Sequence, residues 1–213
     1  VDEEALVIFR RLVSGEPQVY EPDLAGTLNS LGNLLRDLWE LETARTRLEE
    51  ALDIYRRLTQ SQPQVFEPHV SDTLNSLGNL LYDLHDVSMA MMQYKESNAL
   101  CERHRLYLES AETHCNWGLL EKEADNTVRA LELFETCVEQ CERGLSQLAA
   151  RKHRDLFKSR IEPTYNRLIE HYSHLAERDR QGTRERLVGL LESLRQVETL
   201  TGFAEAASDG TAA

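Results

Sequence analysis

The chain has 213 residues, 41% hydrophobic and 29% charged, the balance of a globular protein and not of a collagen or a membrane protein. Glycine and proline number 10 and 5, roughly 7% against a usual share near 12%, which disfavours a many-stranded β fold. The net charge of −13 repels the phosphate backbone whose neutralisation supplies most nucleic-acid affinity, so generic DNA or RNA binding is disfavoured.

The chain opens Val1-Asp2-Glu3-Glu4, without the positive and apolar regions of a secretory signal. The apolar stretch Ala5 to Phe9 falls far short of the ~18 residues a spanning helix needs. Ala5, Leu6, Phe9 and Leu12 share a helical stripe over residues 2–14. Leu28, Leu31, Leu35 and Leu38 then recur at three- and four-residue intervals, predicting a first helix, A, over 22–38. Ala44, Leu48, Ala51, Leu52, Tyr55 and Leu58 predict a second, B, over 42–60. Pro63 and Pro68 are expected to stop helix B and start the next helix A.

Self-similarity organises everything downstream. Thr27 opens TLNSLGNLLRDL and Thr73 opens TLNSLGNLLYDL, 46 residues later with one difference in twelve. The flanking Pro17 to Pro22 returns as Pro63 to Pro68, and Glu4-Ala5-Leu6 as Glu50-Ala51-Leu52. A third unit follows at a displacement of 40: Leu77-Gly78 returns as Trp117-Gly118, and Cys101-Glu102-Arg103 as Cys141-Glu142-Arg143. Glu162-Pro163 marks a degenerate fourth. The expected division is an orphan helix B at 1–15, hairpin repeats at 16–61, 62–105 and 106–150, a degenerate repeat or cap at 151–200, and a disordered tail at 201–213. The unpaired first helix and a first residue other than Met suggest a fragment of a longer chain.

Gly32, Gly78 and Gly118 fall inside the A helices, and Ala44, Ala90 and Ala130 inside the B helices. Mid-helix glycine costs about 1 kcal/mol against alanine, so its recurrence needs a packing reason. Leu48, Tyr94 and Phe134 stand four residues after each alanine, with Ala51, Ser97 and Cys137 three further on. This succession of large, glycine, small and large resembles the tetratricopeptide repeat over residues 1–150, with a period longer than the family's usual one. Such long units look like those of kinesin-light-chain-type repeats and of repeat arms in microbial signalling proteins. Glu121, where a large residue is expected, and His114, in the place of Leu74, depart from the pattern. The resemblance implies an all-α, right-handed α-α superhelix acting as a protein-binding scaffold or adaptor.

It also implies that outward A-helix positions line a concave groove. In unit one these are Asn29, Ser30, Asn33 and Arg36, in unit two Asn75, Ser76, Asn79 and Tyr82, and in unit three Cys115, Asn116, Leu119 and Lys122. An exposed asparagine ladder can hold both polar groups of an extended peptide backbone, whereas the same residues bonding between helices would fix repeat register. Arg36, Lys122 and Arg129 suit an acidic ligand; Asp37, Asp72, Asp83 and the overall charge suit a basic one. Asn75→Ala with Asn79→Ala is expected to weaken a ligand more than roughly tenfold, with melting temperature nearly unchanged.

Other chemistry is poorly supported. Cys101, Cys115, Cys137 and Cys141 show no Cys-x2-Cys pair, and His171 with His174 lacks HExxH, so core packing is favoured over a zinc site. Four cysteines without a framework place the chain in a reducing cytoplasm. No nucleophile elbow, P-loop or dinucleotide fingerprint occurs; neither an enzyme nor a cofactor is expected. The run Arg151-Lys152-His153-Arg154 with Lys158 and Arg160 reads as a helix-end cluster. The expected function is peptide or protein binding, with no nucleic acid and no membrane; a second copy could dock on the first helix. The alternative is a regulatory or self-assembly arm of a larger protease, ATPase or kinase.

Overall fold

The computed structural model describes residues 2–146 and Glu192. The expected cap, the tail, the basic run at 151–160 and the pair His171/His174 lie outside the described residues. Seven α-helices and no strand are found among the described residues. They are α1 (Asp2–Gly15), α2 (Pro17–Asp37), α3 (Leu41–Thr59), α4 (Pro63–Asp83), α5 (Val87–His104), α6 (Tyr107–Glu123) and α7 (Thr127–Ser146). α2/α3, α4/α5 and α6/α7 are antiparallel hairpins stacked in chain order, and α1 packs on α2 as a lone B-type helix. The result is an all-helical repeat solenoid.

One expectation about proline is corrected. Pro17 and Pro63 open α2 and α4, where the missing N–H has no partner to lose, but Pro22 and Pro68 lie inside those helices. Each A helix therefore begins five residues earlier than the Leu stripe suggests. The stripe marks where packing starts, and the extra turn and a half projects before it.

The A-to-B turns share a local solution. In each, two backbone N–H groups fold back on the helix: Trp39 to Arg36 (2.9 Å) and Glu40 to Leu35 (2.9 Å), His85 to Tyr82 (2.9 Å) and Asp86 to Leu81 (2.8 Å), Asp125 to Lys122 (3.1 Å) and Asn126 to Glu121 (2.9 Å). This Schellman pairing satisfies the last carbonyls and requires a left-handed residue. Trp39, His85 and Asp125 supply it at φ 61°, 61° and 62°, although none is glycine.

Packing explains the mid-helix glycines. A Cβ on Gly32 would stand 2.6 Å from Leu48 Cγ, on Gly78 2.7 Å from Tyr94 Cδ1, and on Gly118 2.6 Å from Phe134 Cδ1. Each A helix thus admits the large side chain of its own B helix directly against its backbone. Ala44, Ala90 and Ala130 are fully buried beside these contacts. One apolar cluster runs unbroken from Leu6 of α1 to Leu80 of α4, and another joins Leu81, Tyr94, Trp117 and Leu133 across α4 to α7. Each fully buried Leu or Phe contributes about 1.5–3 kcal/mol of transfer free energy.

The two departures are absorbed locally. Glu121 is buried, and its carboxylate accepts from Trp117 Nε1 (3.0 Å) and Asn126 Nδ2 (3.0 Å), joining the A helix to its turn. His114 is buried with Nδ1 donating to the Ser110 carbonyl at 2.8 Å. Ion pairs repeat with the units: Arg57–Glu21 (2.7 Å) and Arg103–Glu67 (2.9 Å) within hairpins, Arg10–Glu50 (2.9 Å) and Arg56–Glu96 (2.7 Å) between B helices. Exposed pairs of this kind contribute about 0–1 kcal/mol each, so they refine register and do not hold the stack together.

Candidate functional site

Successive A helices approach one another more closely than successive B helices do, which puts α2, α4 and α6 on the inner side of the stack. Their facing residues are half-buried and engaged across helices, a correction to the exposed ladder expected from sequence. Asn29 Nδ2 donates to Asp72 Oδ2 of α4 at 3.1 Å, and Asn116 Nδ2 of α6 donates to Asn75 Oδ1 at 3.2 Å. Tyr94 Oη donates to Asn79 Oδ1 at 2.7 Å. Arg36 Nε lies 3.3 Å from Asp83 Oδ2 and its Nη2 3.4 Å from Asp37 Oδ1. Tyr82 Oη donates to Glu123 Oε1. The register role weighed from sequence is thus visible in bonds linking α2 to α4 and α4 to α6. The amide oxygen of Asn29 is buried without a partner, and Ser76 is buried while Ser30 is exposed.

Arg36, Asn79, Tyr82 and Asn116 nevertheless meet around one cleft of about 170 Å³, with Asp83, Tyr94 and Leu119 completing its wall. Asn79 is held by its oxygen and borders the cleft. Burial raises the Asp83 carboxyl above its ordinary value, with Asp37 adding to the rise and Arg36 opposing it. Burial, then the Glu123 carboxylate, raises the Tyr82 phenol. The Arg129 guanidinium lies 5.3 Å from the centre of the Trp117 ring and pairs with Glu132 at 2.8 Å. Ser30 borders a second, larger hollow at the junction of α1 to α4, which the sequence reading missed.

The four cysteines are buried free thiols. Burial pushes Cys101 up to about 11, and hydrogen bonds with Cys115 and Cys141, followed by burial, raise Cys137. Cys101 and Cys137 are poor nucleophiles in that state. Among the described residues no group of three or more His, Cys, Asp or Glu could hold a metal ion, and no helix is long and apolar enough to cross a membrane.

Stacked helical hairpins with glycine-to-aromatic interlocks define a repeat scaffold, and the comparisons agree. Residues 24–61, within the first hairpin, match the tetratricopeptide repeat family. Members of that family generally serve as protein–protein interaction modules. Among solved structures, the crystal structure of BtubC (BKLC) from P. vanneervenii is similar, with a TM-score of 0.56 and 16% identity. The match covers 99% of this chain and 89% of that one; at this identity it shows the fold alone. No curated protein matches the chain in sequence.

Proposed function

We propose that the chain is a non-catalytic protein-binding module of the cytoplasm that grips a peptide segment along the inner faces of α2, α4 and α6. The observation that supports it is the convergence of Arg36, Asn79, Tyr82 and Asn116 on one cleft. Asn33 and Lys122 extend the same surface along α2 and α6, while Asn29 and Asn75 fix the spacing between helices. A preformed wall of this kind limits the freedom lost on association. The acidic balance of the chain favours a ligand with basic character. A peptide ligand selected by display against the full chain tests the reading. Asn33→Ala should then weaken it at least about fivefold without lowering the melting temperature; an unchanged affinity removes the inner face from consideration.

A second reading, a self-assembly or regulatory arm, rests on one end of the stack. Ile8 is 57% exposed and Leu34 45%, whereas their counterparts one unit later, Ile54 and Leu80, are 5% and 0% exposed. Light scattering decides: a mass that rises with concentration and reverts to monomer in Ile8→Lys supports assembly, and a constant monomer mass rejects it.

A further inference from the structure

The hollow beside Ser30 encloses about 590 Å³, within the range of about 300–1,000 Å³ typical of ligand pockets. Its walls include Phe9 of α1, Asp23 and Gly26 of α2, Tyr55 of α3, and Phe66 and His69 of α4. The Tyr55 and His69 rings stack at 5.1 Å and 11°, and Phe66 lies tilted against both, at 6.4 Å from Tyr55 and 6.2 Å from His69.

This is not a gap that repeats with the scaffold. At the next junction the positions of Tyr55, Phe66 and His69 are taken by Cys101, Leu106 and Glu109, and that of Gly26 by Asp72. Thr27 and Ser30 on the wall of the hollow correspond to Thr73 and Ser76, which are both buried. The aromatic trio and the space before it belong to the first junction.

The polar groups indicate what fits. Tyr55 is only 5% exposed, and its hydroxyl reaches across to α2, 3.4 Å from where a Cβ on Gly26 would stand. Tyr55 lines the hollow, so an occupant that displaces water from it must supply a partner for the hydroxyl. Burial, then the Asp72 and Asp23 carboxylates, pushes the phenol up to about 12. The hydroxyl therefore stays protonated, with oxygen lone pairs to offer in a negative field. An anion would be repelled by the two carboxylates. A purely apolar group would leave the hydroxyl unpaired. A cation bearing N–H donors satisfies the hydroxyl, meets the aromatic faces and pairs with the Asp23 carboxylate on the wall.

We propose that this hollow is a specificity pocket that takes one arginine or lysine side chain of a protein ligand. The proposal rests on the protein-binding reading and names the residue type which that surface selects. Its probes are N-acetyl-arginine amide and N-acetyl-lysine amide, with N-acetyl-norleucine amide as the uncharged control and spermidine as a free cation. Each is titrated into the full chain while the aromatic NMR signals of Tyr55, Phe66 and His69 are followed.

Saturable shifts are expected with the arginine and lysine probes at concentrations on the order of millimolar, and affinity for norleucine should be at least about tenfold weaker. Asp23→Asn and Tyr55→Phe, each checked for an unchanged helical spectrum, should weaken the cationic probes at least about threefold. Equal binding of norleucine overturns the proposal, as does an unchanged affinity in both variants. Saturation by spermidine alone would assign the hollow to a free polyamine and overturns it too, as does the absence of any saturable shift. Asn33→Ala should leave these titrations unaltered. A failed titration therefore counts against the pocket only, and an unaffected display peptide in Asn33→Ala counts against the inner face only.

Discussion

The ring of Tyr94 occupies the space that a side chain on Gly78 would need: a Cβ there would stand 2.7 Å from Tyr94 Cδ1. Tyr94 is 1% exposed and its hydroxyl is tied to Asn79, so the ring cannot swing away. Alanine would ordinarily gain about 1 kcal/mol over glycine in a helix, but overpacking a filled core costs about 1–3 kcal/mol. Gly78→Ala is therefore expected to lower the melting temperature by several degrees. Gly118→Ala should behave alike, because it meets the Phe134 ring. Gly32→Ala meets Cγ and Cδ2 of Leu48, an aliphatic side chain that can shift rotamer more readily than a rigid ring, and should be the mildest of the three. Thermal melts of the three variants check the order; a more stable Gly78→Ala would refute the interlock.

The Asn79 contact also changes what an alanine variant reports. Removing its carbonyl leaves the buried Tyr94 hydroxyl without an acceptor, a loss of about 1–3 kcal/mol. Asn75→Ala with Asn79→Ala should therefore melt measurably earlier than the parent chain, contrary to the sequence-based expectation of an unchanged midpoint. Adding Tyr94→Phe to Asn79→Ala removes the stranded group and should restore part of the loss. A double-variant cycle on the melting midpoints measures the coupling; additive effects would mean that the bond contributes nothing.

Helix type, hairpin order and the glycine interlocks were legible because each rests on periodic identity: Thr27 to Leu38 recurs almost letter for letter at Thr73, and a core position recurs only if its neighbours do. The helix starts were not legible, since Pro22 and Pro68 read as boundaries although the chain continues helically through them. Which of the two roles weighed for the asparagines, ligand contact or bonding between helices, each one takes was not legible. Whether Asn79 faces a ligand or a tyrosine depends on residue 94, which is Tyr where unit one has Leu48. The first-junction hollow arises from departures from the repeat at Gly26, Tyr55, Phe66 and His69, and a search for likeness passes over them. Comparing unlike letters at equivalent positions would have found it.

Acid should act on the fold in two separate windows. Burial holds the His114 imidazole below its ordinary value of 6.5, outweighing the bond to the Ser110 carbonyl. The unfolded chain then binds the proton more readily, so stability falls as pH drops from about 6.5 towards the lower folded value. His114→Leu, which copies Leu74, should flatten the melting curve over that interval and raise the midpoint at its acid end. Glu67 lies below its usual 4.5, chiefly through its bond to His104 and then through Arg103. Its contribution is present above about pH 4.5 and is lost as pH falls through the folded value. Glu67→Gln should remove that lower step and leave the upper one. Melting midpoints measured from neutral pH to about pH 3 separate the two, and identical profiles for parent and variants would refute both assignments.

Trp39 sits at φ 61° in the turn from α2 to α3 and is 72% exposed, so its side chain packs little while its backbone occupies the left-handed region. Such a conformation costs a non-glycine residue roughly 1 kcal/mol or more. The Schellman bonds from Trp39 and Glu40 need the conformation and not the indole. Trp39→Gly is accordingly expected to raise the melting temperature by a few degrees, the relief exceeding the entropy glycine adds to the unfolded chain. His85→Gly should follow it. Asp125→Gly should gain least, because aspartate tolerates the left-handed region better than most residues do. Calorimetric midpoints of the three variants test the ranking. A loss of stability in Trp39→Gly would show that the exposed indole holds a contact worth more than the strain it imposes.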